Sequence, residues 1–239
     1  MKRILLMVLR NIFFVPFGWI KLCWYASHVD RYTEEERYKL LEYIDERAVR
    51  GGNIHIEIHG QENIPKENGF IFFPNHQGLF DVLAIIYACP VPFSVVAKKE
   101  LAEIPFLKQV FACMKAFIID REDIKQSMQV IINVIKEVKK GRNYLIFAEG
   151  TRSKNGNHPQ EFKGGSFKAA IKTKCPVIPV ALIDSYKAFD TGSVKQLTVQ
   201  VHFLEPMNYE EYKEMKSTEI ASEVKMRIEK TIQENGGWN

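Results

Sequence analysis

His76 stands five positions before Asp81 in the stretch NHQGLFD, directly after the apolar run GFIFFP. An imidazole with one ring nitrogen held by a carboxylate keeps a single tautomer, which leaves the other nitrogen to take a proton near neutral pH. The carboxylate also stabilises the imidazolium that forms. On one continuous helix this spacing would set the two side chains about 140° apart. His76 must therefore precede the helix that holds Asp81 or sit at its first residue. On these two residues alone, a helix-capping loop is an equal reading.

A second cluster, FAEGTRS, follows another apolar run and carries Glu149, Gly150 and Arg152. Gly150 permits a tight turn, Glu149 is an acceptor for a hydroxyl, and Arg152 offers a donor fork for a phosphate. The same residues would equally make a turn closed by an internal ion pair. AFIIDR delivers Arg121 from a third apolar run. Two guanidinium groups from separate strand ends would form an anion site. In EFKGGSFKAA, Lys163, Gly164 and Gly165 precede an expected helix start, where free amides favour negative charge. Ser166 lies outside any G-x-S-x-G pattern, so it reads as a helix N-cap and not as a nucleophile. Neither a G-x-x-x-x-G-K-[ST] loop nor a G-x-G-x-x-G fingerprint occurs, which removes support for ATP and dinucleotide chemistry. His55, Glu57 and His59 alternate along NIHIEIHG; a solvated strand face explains them better than a metal site, because further ligands are lacking.

In their order, these blocks resemble the glycerolipid acyltransferase family, most closely its bacterial members that acylate 1-acyl-glycerol-3-phosphate. NHQGLFD resembles the first family motif, Asn-His-x4-Asp, and AFIIDR the second. FAEGTRS is similar to the third, with Ala148 where proline is usual, and PVIPVAL, around Pro179, to the fourth. VAKKEL and FKGGSF also look like family blocks, and the resemblance runs over roughly residues 55 to 205. It implies an O-acyltransferase moving a fatty acyl group from acyl-CoA or acyl-carrier protein to the free hydroxyl of 1-acyl-sn-glycerol-3-phosphate, giving phosphatidic acid. His76 is then the general base and Asp81 orients it, with no acyl-enzyme, metal or cofactor. Arg121, Glu149, Gly150 and Arg152 are implied in binding the glycerol phosphate, and Thr151, Lys98 and Lys163 are grouped with them. Backbone amides near the helix after His76 are expected to stabilise the oxyanion. Rival expectations are another lysolipid or glycerol-3-phosphate as acceptor, or a thioesterase in which His76 activates water.

The elements that must position these groups are legible as patterns. GFIFF, FSVVA, AFIID, YLIFAE and PVIPVALI are short runs rich in Val, Ile and Phe, as expected of strands covered on both faces. NIHIEIHG and LTVQVHFLEP alternate like half-exposed strands. Helix patterns lie between and around them. One opens on a capping box, Thr33 with Glu36, and stops at Gly51 and Gly52; a second ends at Gly141. The alternation predicts an α/β layered domain with a largely parallel sheet.

At 239 residues and 46% hydrophobic, the chain can bury one substantial core. A net charge of +4, without a nucleic-acid motif, does not single out a nucleic-acid partner. Cys23, Cys89, Cys113 and Cys175 form no C-x-x-C pair and read as reduced, buried thiols. The first 25 residues hold Lys2, Arg3, Arg10 and Lys21, no acid, and many large apolar side chains. Only ten uncharged residues separate Arg10 from Lys21, too few for a spanning helix. On a helix Arg3, Arg10 and Lys21 fall within about 20° of each other, a basic stripe facing anionic headgroups. Phe13, Phe14, Phe17, Trp19 and Trp24 would face acyl chains, with a kink at Pro16 and Gly18. The expected organisation is a membrane-interface helical segment over 1–30 and an α/β acyltransferase domain over 31–239. It would lie at the cytoplasmic face of the cell membrane, peripheral or monotopic.

Overall fold

The computed structural model of the chain describes residues 2–238. Two helices open it, α1 (Lys2–Arg10) and α2 (Val15–Ser27), followed by α3 (Glu34–Gly51). Then come β1 (Ile54–His59), β2 (Ile71–Pro74), α4 (Asp81–Ala88), β3 (Ser94–Lys98), α5 (Leu107–Cys113) and β4 (Phe117–Ile119). The chain continues through α6 (Ile124–Val138), β5 (Tyr144–Leu145), α7 (Lys168–Thr173), β6 (Val177–Ile183) and the short α8 (Lys187–Asp190). It closes with β7 (Leu197–Phe203), the short α9 (Tyr209–Tyr212) and α10 (Ser217–Glu234). Every strand expected from the apolar runs is present.

The seven strands form one sheet in the order β1-β7-β6-β2-β5-β3-β4. All neighbours run parallel except β6 and β7. Side chains on a strand alternate between faces, so β2 feeds both halves of the core. Phe70 and Phe72 join the layer of α3, α4 and α5, whereas Ile71 and Phe73 join that of α6, α7 and α10. Each is fully buried and contributes about 1.5–3 kcal/mol relative to exposure. The parallel set β6, β2, β5, β3 and β4 puts the ends of five strands on one edge, and His76, Lys98, Arg121, Arg152 and Ser185 all lie at or just beyond those ends. As the alternation predicts, β1 lies at the outer edge of the sheet.

The amino-terminal segment departs from its expected form. The break falls at residues 11–14 and turns α2 by 99° from α1. Pro16 sits inside the first turn of α2, where its missing N–H costs nothing. Asn11 holds the corner, its Nδ2 donating to Met7 O at 2.9 Å and Arg47 O at 3.0 Å. No single helix among the described residues is long and apolar enough to cross a membrane.

Arg3 is not part of a basic stripe. Its guanidinium is buried, donating to Gly52 O at 2.6 Å, Asn53 O at 3.3 Å, and Ser193 O and Lys195 O at 3.0 Å each. It thereby ties α1 to the turn before β1 and the loop before β7. Gly52 permits this close approach, because a Cβ there would meet the Met7 side chain at 2.5 Å. Phe14 also turns inward, edge-on to Tyr43 and under the Arg47 guanidinium. Met7 and Leu22 are buried too, whereas Phe13 is 89% exposed, Phe17 74% and Trp24 50%.

Replacing Arg3 with alanine strips the charged donor from four carbonyls and is expected to cost about 2–4 kcal/mol. Arg10→Ala, at an exposed position, should change stability by less than about 0.5 kcal/mol. Denaturant unfolding of the two variants checks the contrast.

Candidate active site

The ladder between β2 and β6 ends at Pro74. Beyond it the Asn75 side chain takes over the pairing, accepting from Leu182 N at 2.7 Å and donating to Leu182 O at 3.0 Å. A side-chain amide thus replaces a backbone unit, and the main chain is free to turn away and carry His76 off the sheet. His76 precedes α4, and Asp81 is the first residue of that helix. The imidazole Nδ1 lies 2.8 Å from Asp81 Oδ2.

Four donors converge on the Asp81 carboxylate. Oδ2 accepts from Gln77 N at 2.6 Å and Gly78 N at 3.0 Å as well as from His76, and Oδ1 accepts from the Ser185 hydroxyl at 2.6 Å. With only acceptor capacity facing it, Nδ1 carries the hydrogen and Nε2 keeps its lone pair. Nε2 has no hydrogen-bond partner among the described residues, and His76 lines a cleft. The ring stacks on Phe147 with centroids 3.9 Å apart. The arrangement is that of a general base with its tautomer and orientation set. The amides of Gln77 and Gly78 are spent on Asp81, so they are not the oxyanion donors expected of this helix start.

The FAEGTRS segment holds the backbone of His76 from both sides. Glu149 Oε1 accepts from His76 N at 2.6 Å, and Ser153 N donates to His76 O at 2.7 Å. The second oxygen of Glu149 accepts from Gln160 N at 2.9 Å. Glu149 is 2% exposed and does not line the cleft, so its carboxylate anchors loops and offers no acceptor to a substrate hydroxyl. Gly150 adopts φ +75°, a region closed to most side chains, and Lys163 lies across it where a Cβ would meet Nζ at 2.9 Å. Neither Gly150 nor Lys163 lines the cleft. The helix start expected after Lys163 is present as a 3-10 turn that runs directly into α7, but it does not line the cleft. Gly164–Phe167 is a single 3-10 turn packed on Ser217 and Thr218, and Ser166 caps nothing.

The cleft has a volume of about 290 Å³. One part of its wall is polar, formed by His76, Thr151, Arg152, Arg121 and Lys98; the rest is mainly apolar, from α3, α4, β3 and α5. Lys98 pairs with Glu100 at 2.9 Å. Arg121 and Arg152 form no salt bridge among the described residues. The structure thus brings together His76, Asp81, Thr151, Arg152, Arg121 and Lys98, and separates Glu149, Gly150 and Lys163 from them by one layer. Sequence reading gave no role to Ser185 or to buried Gln77. The Gln77 amide donates to Asn157 Oδ1 at 2.8 Å and Leu182 O at 2.9 Å. Ser185 carries no local signal; it meets Asp81 only because β6 lies beside β2.

Burial pushes the Glu149 carboxyl up to about 7, against the pull of its two N–H donors. The unfolded carboxyl titrates near ~4.3, so the folded chain holds this proton more tightly. The contribution of Glu149 to stability therefore falls as pH rises through that window, and Glu149→Gln should flatten the slope in thermal unfolding across pH. Glu149→Ala frees the His76 backbone and should lower kcat/KM on the order of 10²-fold with the fold retained, as small misplacements of a catalytic group do.

A sequence profile described as Acyltransferase matches residues 55–183. A 1-acyl-sn-glycerol-3-phosphate acyltransferase of Borreliella burgdorferi is 33% identical over 172 residues, which cover 70% of this chain and 68% of that protein. The protein of the same name from Salmonella typhimurium is 31% identical over 165 residues, covering 69% and 67%. The crystal structure of the 1-acyl-sn-glycerophosphate (LPA) acyltransferase PlsC from Thermotoga maritima aligns with a TM-score of 0.78 at 24% identity, over 99% of this chain and 98% of that one. That likeness is one of fold. The profile runs from β1 to the end of β6 and encloses the His76–Asp81 pair and the cationic wall of the cleft: the chain belongs to the acyltransferase family.

Proposed function

We propose that the chain transfers a fatty acyl group from acyl-CoA or acyl-carrier protein to the free hydroxyl of 1-acyl-sn-glycerol-3-phosphate, giving phosphatidic acid. The observation that carries this reading is an imidazole with a free Nε2, held by Asp81, in a cleft that is cationic on one side and apolar on the other. Nε2 takes the proton of the acceptor hydroxyl as its oxygen attacks the thioester carbonyl. The tetrahedral intermediate then expels the thiolate, which receives that proton from the imidazolium. Asp81 holds the ring and stabilises its charged form throughout. Arg121 and Arg152, which form no salt bridge among the described residues, bind the acceptor phosphate, with Lys98 and Thr151 beside them. The apolar wall takes the acyl chain.

The acceptor is a membrane lipid, and the exposed Phe13, Phe17, Ile20 and Trp24 of the amino-terminal corner suit insertion into one leaflet. Arg10 and Lys21, both exposed, add attraction to anionic headgroups of the cytoplasmic face. The segment works as an anchor at the interface, with Arg3 fixing it to the catalytic domain.

Transfer of labelled acyl groups to a panel of lysolipids on vesicles tests the chemistry. His76→Ala should lower kcat by ~10² to 10⁴-fold, and Arg121→Met or Arg152→Met should raise KM for phosphate-bearing acceptors far more than for an uncharged one. Hydrolysis of the thioester with no lysolipid acylated would make the chain a thioesterase instead. For the anchor, Phe13→Glu with Phe17→Glu should move the protein from anionic vesicles to the supernatant in flotation, with the fold intact by circular dichroism.

A further inference from the structure

Ser185 follows β6 by two positions and is fully buried, as is Asp81. Its hydroxyl donates to Asp81 Oδ1 at 2.6 Å, whereas the other three donors, His76 Nδ1, Gln77 N and Gly78 N, all fall on Oδ2. An ionised carboxylate has about two lone-pair sites on each oxygen. Oδ2 is therefore crowded, and among the described residues Oδ1 has the Ser185 hydroxyl alone.

The hydroxyl reaches Asp81 through a break in the strand pattern. Along β6, Ile178, Val180 and Leu182 face the layer that holds α4, and Val177, Ala181 and Ile183 face the layer of α7 and α10. Strand alternation would aim residue 185 at the second layer, away from Asp81. Asp184 instead adopts φ +64°, a left-handed conformation that aspartate tolerates, and the chain turns there towards α4. Asn157 holds the turn: its Oδ1 accepts from Asp184 N at 2.7 Å, and its Nδ2 donates to Asp184 Oδ1 at 2.9 Å. Lys187 Nζ donates to Asp184 Oδ2 at 2.7 Å. The Gln77 side chain joins this turn to the loop after β2, donating to Asn157 Oδ1 and accepting from Tyr186 N at 3.3 Å.

With Ser185 in place, Oδ1 is committed and the carboxylate has one rotation. Without it, Oδ1 is left buried and unpaired, and the relaxation that satisfies most groups is a turn of the carboxylate that spreads the three N–H donors over both oxygens. The terminal torsion of aspartate is soft enough to allow that turn. The imidazole would move with the oxygen it bonds. We propose that Ser185 is a positioning residue of the reaction, which holds the Asp81 carboxylate in the rotation that presents Oδ2 to His76 and thereby aims Nε2 into the cleft. The inference rests on the acyltransferase reading above, in which Nε2 takes the proton of the acceptor hydroxyl.

The test is acyl transfer by the full chain to lysolipid vesicles, with the proton NMR resonance of His76 Nδ1–H, assigned by its absence from His76→Ala, followed in the same proteins. Ser185→Ala should lower kcat by about tenfold or more with KM for the acceptor little changed, and should move the resonance and speed its exchange with water. Ser185→Thr, which keeps the hydroxyl, should restore both. Ser185→Cys, close to serine in size but a weak donor, should fall between the two and serves where either of the others does not fold. Partial unfolding alone would shrink the native resonance without moving it. A native rate in Ser185→Ala, an unmoved resonance in a slowed variant, or no protected Nδ1–H in the native protein overturns the role of Ser185. Failure of the native protein to acylate any lysolipid overturns the acyltransferase reading, and the role of Ser185 in that reaction with it.

Discussion

The carboxylate of Asp81 is the point on which the site turns. Its four donors come from two places in the chain: the imidazole and two amides from the loop after β2, and a hydroxyl from the residue pair after β6. The loop is thereby wrapped around the start of α4, and the imidazole has one orientation in which Nδ1–H is satisfied. A buried carboxylate left without these donors would be costly, so the same interactions that orient the His76 ring also make the loop conformation the stable one. Loop stability and ring orientation are coupled through a single side chain.

The segment after β5 acts on the same loop from the other side. Glu149 and Ser153 hold the N–H and C=O of His76, and Phe147 backs its ring. What looks in the linear motif like a set of substrate ligands divides into two layers. Arg152 and Thr151 reach the cleft, whereas Glu149 and Gly150 build the turn that delivers them. A carboxylate two residues from a cleft wall binds no substrate when both of its oxygens are already taken by backbone amides.

The amino-terminal helices show a similar division between anchoring and exposure. Arg3, Met7 and Phe14 pack inward, and the faces they leave carry a continuous set of large apolar side chains. Soluble proteins seldom display such a patch without a partner for it. The 99° corner keeps the two helices from extending as one rod, and α1 packs on α3 while α2 packs on α5.

Much of this was legible in the chain. Seven strands, the capping box at Thr33 and Glu36, the parallel character of the sheet and the proximity of His76 to Asp81 all follow from local pattern, because strand burial, helix capping and turn geometry are set by residues near in sequence. The parts that could not be read depend on which strands become neighbours. Ser185 reaches Asp81 across 104 positions, Asn75 reaches Leu182 across 107, and Arg3 reaches Lys195 across 192. No periodicity records such pairings, since a buried arginine and one facing a membrane have the same local spacing. Composition and motif order settle the fold class and the family; strand order decides which polar groups meet, and hydrogen-bond satisfaction in the buried interior then decides which of them are left free for chemistry.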